Sequence, residues 1–181
     1  MYYDKGEYIK SSSYFLESIK LAKEIGDEES EGNAYNNLGS IYSAMGDFDM
    51  SMTYHLKALA IREKSATKMQ MSSVLLNIGT VHLALKENEA AREYLRRSLS
   101  IDTDLNDLEG IALNYNSIGV SYYNDGIMDS ALFYYQRALK LHTELGYPEP
   151  LAISYNNLGE MFNAQGEYKN AIEFCSQSYA L

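Results

Sequence analysis

The chain has 181 residues, a formal net charge of −10 and 46% hydrophobic residues. Its two prolines suit an all-helical chain, and its single cysteine excludes an internal disulfide. The acidic balance argues against a nucleic-acid partner, because phosphate backbones are bound by clustered Lys and Arg, and no apolar run approaches the roughly 18 residues that a membrane span requires.

A short pattern that ends in glycine returns every forty residues along the chain. Its four copies read Tyr-Asn-Asn-Leu-Gly (35–39), Leu-Leu-Asn-Ile-Gly (75–79), Tyr-Asn-Ser-Ile-Gly (115–119) and Tyr-Asn-Asn-Leu-Gly (155–159). A fixed period of this length is typical of a stack of identical supersecondary units. We therefore expect a repeat array, which offers an extended surface rather than a catalytic pocket.

The predicted elements follow this period in chain order. A lone helix at about residues 7–25 comes first and four pairs of helices follow it, so the fold is all-α with about nine helices. In the best preserved unit, apolar residues recur at helical spacing from Leu108 to Asn124, Asp125-Gly126 forms a turn, and a second helix follows. Junctions between units are expected near 26–28, 64–67, 104–107 and 146–149.

We divide the chain into a single array of five units. A partial repeat at 1–26 precedes full repeats at 27–66, 67–106 and 107–147, and a slightly truncated repeat occupies 148–181. Tyr2 matches the ring position of later first helices, so the chain is expected to open inside a helix whose earlier turns are absent. No polar capping helix closes either end, although solenoids need one; we expect a segment of a larger protein, whose apolar ends (Phe174, Leu181) allow copies to associate.

Equivalent positions of the repeats, called columns below, carry residues of matched size. A glycine (39, 79, 119, 159) lies in the middle of each first helix, where it costs roughly 1 kcal/mol relative to alanine. Its return predicts that a neighbouring helix backbone crosses there, with no room for a side chain. Three residues later stands a large ring, and twelve and nineteen residues later stand small residues. A turn glycine recurs at Gly6, Gly46, Gly126 and Gly166, with Lys86 as the exception.

These columns resemble the tetratricopeptide repeat, whose units carry an aromatic residue, a Leu-Gly pair and a following Tyr on the first helix, then two alanines on the second. The resemblance covers essentially the whole chain and implies a right-handed superhelix of helix–turn–helix units. The period is longer than usual, and Glu63, Thr103 and Thr143 replace the proline after the second helix. The longer unit is similar to the subgroup seen in kinesin light chains, Leu-Gly-Asn-type adaptors, and bacterial sensor kinases and transcription regulators.

The resemblance implies that the first helices line a concave groove. The groove positions carried over are Asn36, Asn37, Ser40, Leu76, Asn77, Thr80, Leu83, Asn116, Ser117, Val120, Tyr123, Asn156, Asn157, Glu160 and Asn163. Each asparagine offers a donor and an acceptor, so this ladder suits a peptide backbone of any sequence. Alternatively the asparagines bond one another or nearby helix ends within the array, and both interpretations stay open here.

Under the first interpretation, changing Asn77 and Asn157 to alanine is predicted to weaken partner binding with little change in melting temperature. The groove positions include no Lys or Arg. Members of the family that grip the C-terminal carboxylates of chaperones use basic residues there. Such a dicarboxylate clamp is not expected, because asparagine cannot supply charge-assisted bonds.

Few residues are candidates for catalysis or metal binding. His55, His82 and His142 fall on different repeats, and His82 takes the place of a packed ring, so no converging set of metal ligands is expected. Cys175 occupies a mostly bulky column and is predicted to be a buried, inert thiol. The acidic runs 27–29 and 102–107 are expected to cap helices, the second resembling a calcium loop only faintly. We expect no enzyme, no cofactor and no metal.

We interpret the chain as a non-enzymatic protein- or peptide-binding scaffold that acts through its groove, with Leu76, Leu83, Val120 and Tyr123 as apolar anchors. The alternative is a regulatory segment of a bacterial signal-transduction protein, a sensor histidine kinase or transcription regulator, that acts through self-association. A purely structural spacer is a third interpretation. We expect a protein or peptide partner, no nucleic acid and no membrane within this segment. The expected location is the cytoplasm, or the periplasm for a bacterial sensor.

Overall fold

The structure, a computed structural model, describes residues 5–65 and 68–181. Within these two ranges the regular structure is entirely α-helical. The helices are α1 (Lys5–Ile25), α2 (Glu28–Ala44), α3 (Phe48–Ser65), α4 (Lys68–Ala84), α5 (Asn88–Leu105), α6 (Leu108–Asn124), α7 (Met128–Leu145), α8 (Pro148–Ala164) and α9 (Tyr168–Tyr179). The expectation for Tyr2 lies outside the described residues, as does the part of one predicted junction at 66–67.

Aspartates cap several helices at their N-termini. The Ser30 backbone N–H donates to Asp27 Oδ1 at 3.0 Å, and the Gly110 backbone N–H donates to Asp107 Oδ1 at 3.1 Å. These bonds satisfy amides that have no partner within the helix, and the negative charge suits that end of the helix dipole. The predicted capping role of the two acidic junctions is confirmed.

Tight turns join the two helices of each pair. Gly46, Gly126 and Gly166 adopt φ values of +78°, +75° and +78°, a region that glycine enters without steric cost. Lys86, the exception noted in the sequence, adopts the same conformation with φ +61°. Gly6 was expected in this turn column but lies within α1, because a glycine flanked by helical residues adopts helical angles as well.

The helices form a curved stack. Each first helix (α2, α4, α6, α8) packs against the second helix of its own pair and against the preceding second helix. Successive first helices also contact one another, whereas successive second helices among the described residues do not come within the same range. The array therefore curves toward the first helices, which form its concave face.

The mid-helix glycines make room for side chains of the second helix. A Cβ at Gly79 would lie 2.6 Å from Leu95 Cγ, and one at Gly119 would lie 2.6 Å from Tyr135 Cδ1. His55 and Cys175 occupy the same place beside Gly39 and Gly159. The expected close approach is present, but a side chain, not a helix backbone, comes nearest.

Stacked rings hold the two helices of each pair together. The large-ring column of the first helices meets a second ring column that the sequence analysis did not single out. Ring centroids are 5.4 Å apart for Tyr42 and Tyr54, and 5.6 Å apart for Tyr122 and Tyr134. His82 takes part in the same way, 5.3 Å from the Tyr94 ring, as expected for a residue that replaces a packed aromatic.

One column of the second helices buries a different polar residue at three of the four junctions between repeats, whereas α1 has Ala22 there. The polar members are Arg62, Asp102 and His142, with exposed fractions of 1%, 3% and 2%. Asp102 accepts from Ser72 Oγ on α4 and from Asn114 Nδ2 on α6, the latter at 2.8 Å. His142 Nδ1 lies 2.7 Å from Ser154 Oγ. Because these junctions have different buried side chains, the repeats are not interchangeable.

Cys175 is exposed, so the prediction of a buried thiol is wrong. Its column is covered elsewhere by the first helix of the following repeat, and His55, Leu95 and Tyr135 are buried there. No helix packs on the outer face of α9 within the described part of the chain. One side of Cys175 therefore contacts Gly159 while the other faces solvent.

Candidate binding groove

The groove positions predicted from the sequence lie on the first helices and differ in accessibility. The exposed ones are Asn37, Ser40, Thr80, Asn156, Glu160 and Asn163. The partly buried ones are Asn36, Leu76, Asn77, Leu83, Asn116, Val120, Tyr123 and Asn157. Ser117 is buried, because the stack of α6 on its neighbours covers it, and it contributes nothing to the surface.

The asparagines pair across neighbouring repeats. Asn77 Nδ2 donates to Asn36 Oδ1 at 3.1 Å, and Asn157 Nδ2 donates to Asn116 Oδ1 at 2.7 Å. One donor of each pair is therefore used inside the array, as the structural interpretation of the ladder requires. The remaining carboxamide atoms of Asn77 and Asn157 have no partner within the described chain and stay available to a ligand.

These pairs change one expectation from the sequence. Removing Asn77 or Asn157 deletes a hydrogen bond between adjacent first helices, and a net bond of this kind contributes about 1 kcal/mol. We therefore expect alanine variants to lose some stability as well as any binding. An unchanged melting temperature is no longer the expected result.

Apolar side chains interrupt the polar surface in the middle of the groove. Leu76 and Leu83 on α4 pack partly against the buried cluster around Ile118, and Val120 and Tyr123 on α6 pack against the cluster around Leu158. They are half-buried, so each retains some accessible surface on the concave side. The concave surface therefore combines half-buried apolar side chains with carboxamides.

Two cavities flank the Asn36–Asn77 pair between α2 and α4. One, of about 140 Å³, is lined by Asn33, Asn36, Arg62, Gln70, Ser73 and Val74. The other, of about 310 Å³, is lined by Ser40, Ser43, Ala44, His55, Asn77 and Thr80. The larger one contains no charged side chain. Together they make the surface between α2 and α4 concave on both sides of this asparagine pair.

His55 belongs to this site and was missed in the sequence. It lies on a second helix, but its ring packs against Gly39 of the first helix and its Nδ1 lies 3.0 Å from Asn36 Oδ1. Burial lowers its pKa to about 4, so the imidazole is neutral near pH 7. The position of His55 in its column could have indicated this contact, because Leu95 and Tyr135 in the same column lie beside the glycine of the first helix of their own pair.

Other chemistry is sparse within the described residues. They contain no group of three or more His, Cys, Asp or Glu side chains that could hold a metal ion. His82 Nδ1 lies 2.6 Å from Glu87 Oε2, an isolated pair outside the groove. None of the helices that the structure describes combines the length and apolar character needed to cross a bilayer.

Family comparison agrees with the repeat period and the fold. Models of the tetratricopeptide repeat match residues 1–64, 30–104, 70–144 and 152–181, which together cover most of the chain. The chain belongs to the tetratricopeptide repeat family. Comparison with curated proteins returns no match for this tetratricopeptide repeat protein.

Solved structures share the same architecture. BtubC (BKLC) from P. vanneervenii is 23% identical with a TM-score of 0.83, over 97% of this chain and 73% of that one. A Rap protein complexed with Competence and Sporulation Factor is 19% identical with a TM-score of 0.86, over 98% and 51%. A STAND protein with a tetratricopeptide repeat sensor from Pyrococcus horikoshii is 19% identical with a TM-score of 0.80, over 97% and 28%.

At these identities the likeness extends to the fold alone. The present chain spans about half of the Rap protein and less of the STAND protein. Tetratricopeptide repeats are protein-interaction or regulatory scaffolds, and this array has the fold of one.

Proposed function

We propose that this tetratricopeptide array is a non-enzymatic scaffold that binds a peptide or an extended protein segment in its concave groove. The observation that carries the proposal is the surface formed by the first helices. Carboxamides, hydroxyls and four half-buried apolar side chains line it, and Glu160 is the one charged residue among the predicted groove positions. The resemblance to a Rap protein complexed with a named factor supports an interaction role in general.

The chemistry of the groove favours an uncharged, extended partner. Backbone amides of an extended segment need donors and acceptors at intervals, and carboxamides provide both. Apolar anchors add affinity where they leave water. An acidic ligand finds no basic side chain among the groove positions, which makes a clamp for carboxylates a poor fit.

The test is a selection of random twelve-residue peptides displayed on phage against the purified chain. Enriched peptides are resynthesised with a fluorescent label and measured by polarisation. Thr80→Arg is the blocking variant, because Thr80 is exposed on the concave side of α4. Thr143→Arg is its control, since Thr143 is also exposed and also bonds a carbonyl of its own helix, but lies on α7, a second helix.

A groove ligand loses at least tenfold in affinity on Thr80→Arg and keeps its affinity for Thr143→Arg. Peptides that bind both variants equally well would place the interaction elsewhere and refute the proposal. The wild type and both variants are assayed at low micromolar concentration, so that self-association of the protein does not affect the measured affinity.

The second candidate is a regulatory array that acts by self-association. It is favoured by apolar side chains on the terminal helices: Tyr14 and Leu21 on α1 are 62% and 54% exposed, and Ile172 on α9 is 68% exposed. Sedimentation velocity of the wild type and of Ile172→Glu tests it. Concentration-dependent oligomers that vanish in the variant support this candidate, and a monomer at all concentrations removes it.

A further inference from the structure

His55 is a buried histidine that lines the larger groove cavity. Its ring is 1% exposed and lies against the backbone of α2, where a Cβ at Gly39 would be 2.7 Å from both Cε1 and Nδ1. The edge of the ring near Gly39 thus includes Nδ1. Nε2, on the other edge, has no hydrogen-bond partner among the described residues, and His55 lines the cavity.

The neighbouring asparagines determine which nitrogen carries the proton. Asn36 Oδ1 accepts from Asn77 Nδ2, so the atom that faces His55 Nδ1 is an acceptor. With the Asn36 amide in this orientation, Nδ1 donates to its oxygen, and a neutral imidazole has only one N–H. Nε2 is left with a lone pair and no donor.

Burial keeps the ring in this neutral form near pH 7. The contrast with His142 is informative, because Nε2 of His142 is sealed in the interior without a partner, whereas Nε2 of His55 is not sealed. His55 therefore combines one ring nitrogen held by Asn36 with a second nitrogen that has no partner among the described residues, in a side chain that lines a cavity.

We propose that the cavity around His55 is a side-chain subsite of the groove that takes a neutral hydrogen-bond donor of the bound peptide onto Nε2. The proposal rests on the proposed peptide-binding function and adds a selectivity to it. The matching side chains are hydroxyls (Ser, Thr, Tyr) and amides (Asn, Gln). A lysine is disfavoured, because none of the residues that line the cavity is acidic and an ammonium group would lose water without a counter-ion.

The volume of the cavity and the residues at equivalent positions of the other repeats agree with a subsite for one side chain. The cavity of about 310 Å³ lies at the lower end of the range for ligand sites, about 300–1,000 Å³. The equivalent residues of the following repeats are Leu95, Tyr135 and Cys175, of which Leu95 cannot accept a hydrogen bond. The second repeat therefore has no counterpart of this subsite.

The first measurement needs no ligand. Long-range ¹H–¹⁵N correlation spectra of histidine-labelled protein at pH 7 report the tautomer of each ring, and His55→Leu assigns the signal. We expect the Nδ1–H tautomer for His55. The Nε2–H tautomer would mean that the cavity faces a donor and would overturn the proposal.

The second measurement uses the phage-selected peptides that discriminate between Thr80→Arg and Thr143→Arg. Each donor side chain in them is replaced by its isostere, Ser by Ala, Thr by Val or Tyr by Phe. At one position the replacement costs about tenfold in affinity on the wild type, as expected for a hydrogen bond to a buried acceptor. The cost disappears on His55→Leu and persists on His142→Leu, which also removes a buried histidine but lies on α7.

The outcomes separate the two claims. Peptides that bind the groove but show no position dependent on His55 refute the subsite and leave the proposed function intact. If no selected peptide is sensitive to Thr80→Arg, the proposed function fails and the subsite fails with it, whatever the tautomer.

Discussion

Gly119→Ala tests the packing of the repeats because helix propensity and tertiary packing predict opposite signs. Alanine is favoured over glycine inside a helix by about 1 kcal/mol. In this structure, however, the added Cβ would lie 2.6 Å from Cδ1 of Tyr135, a ring that is 2% exposed. An ordinary carbon–carbon contact is about 3.5–4.0 Å, so the ring or the helix has to move by about 1 Å.

Overpacking of this kind costs about 1–3 kcal/mol, and a fully buried ring belongs at the upper end of that range. After the gain in propensity, we expect a net loss of about 2 kcal/mol, or a fall in melting temperature of about 4–8 °C for a chain of this size. Urea unfolding followed by circular dichroism measures it. Local opening of the repeats is checked by hydrogen exchange, since arrays need not unfold in one step.

The chain contains its own control for this experiment. Gly159→Ala gains the same helix propensity, but its Cβ would meet Sγ of Cys175, an exposed side chain that is able to rotate away. We expect no loss there and a gain of up to about 1 kcal/mol. Equal changes in stability at Gly119 and Gly159 would show that the Tyr135 ring moves aside without an energetic cost, which would refute the packing argument. In the Tyr135→Ala background, Gly119→Ala should no longer reduce the free energy of unfolding.

Four further predictions concern pH, buried polarity, thiol exposure and the asparagine pairs. Burial lowers the pKa of His55 from 6.5 to about 4, so the stability that the neutral ring provides is complete above pH 6.5 and is lost as the pH falls toward 4, by about 3 kcal/mol. His55→Leu should flatten the pH dependence of the urea midpoint between pH 6.5 and pH 4. An unchanged pH dependence in this variant would contradict the prediction. Asp102→Ala should cost about 2 kcal/mol, because it removes two buried hydrogen bonds, from Ser72 Oγ and Asn114 Nδ2, of about 1 kcal/mol each; a neutral result in urea unfolding would mean that the bonds of Ser72 and Asn114 to Ser98 compensate for the loss. Cys175 should consume one equivalent of a thiol reagent in native buffer, and reaction only after denaturation would refute its exposure. Asn77→Ala should lower the free energy of unfolding by about 1 kcal/mol, with no loss at all arguing against its bond to α2.

Much of the fold was predictable because its signals are local. The helix expected from Leu108 to Asn124 has those bounds in the structure, and Asp107 caps it as its position before the helix suggested. Lys86 was recognised as the irregular turn residue and adopts the left-handed conformation of its column. These features depend on residues that are a few positions apart, so a single sequence contains the information.

The predictions that failed depend on neighbours from other repeats. Cys175 was expected to be buried because its column is bulky, yet burial of that column requires a following first helix. Ser117 was expected in the groove but lies under its neighbours. The crossing at the glycines was foreseen, although only the packed helices revealed that a side chain fills the space.

The period and residue types of the sequence by themselves determined the all-α repeat architecture and the helix ends, since hydrogen bonding within helices and the repetition of packing contacts follow from short-range pattern. The concave position of the first helices was implied by the family resemblance, and the contacts between successive first helices established it. The tertiary structure alone decided that Asn36 joins Asn77 and that His55, from the opposite helix of the pair, reaches the groove floor. The reason is geometric: a rotation of one helix by a fraction of a turn leaves the repeat pattern unchanged but alters which polar atom meets solvent and which meets a neighbour.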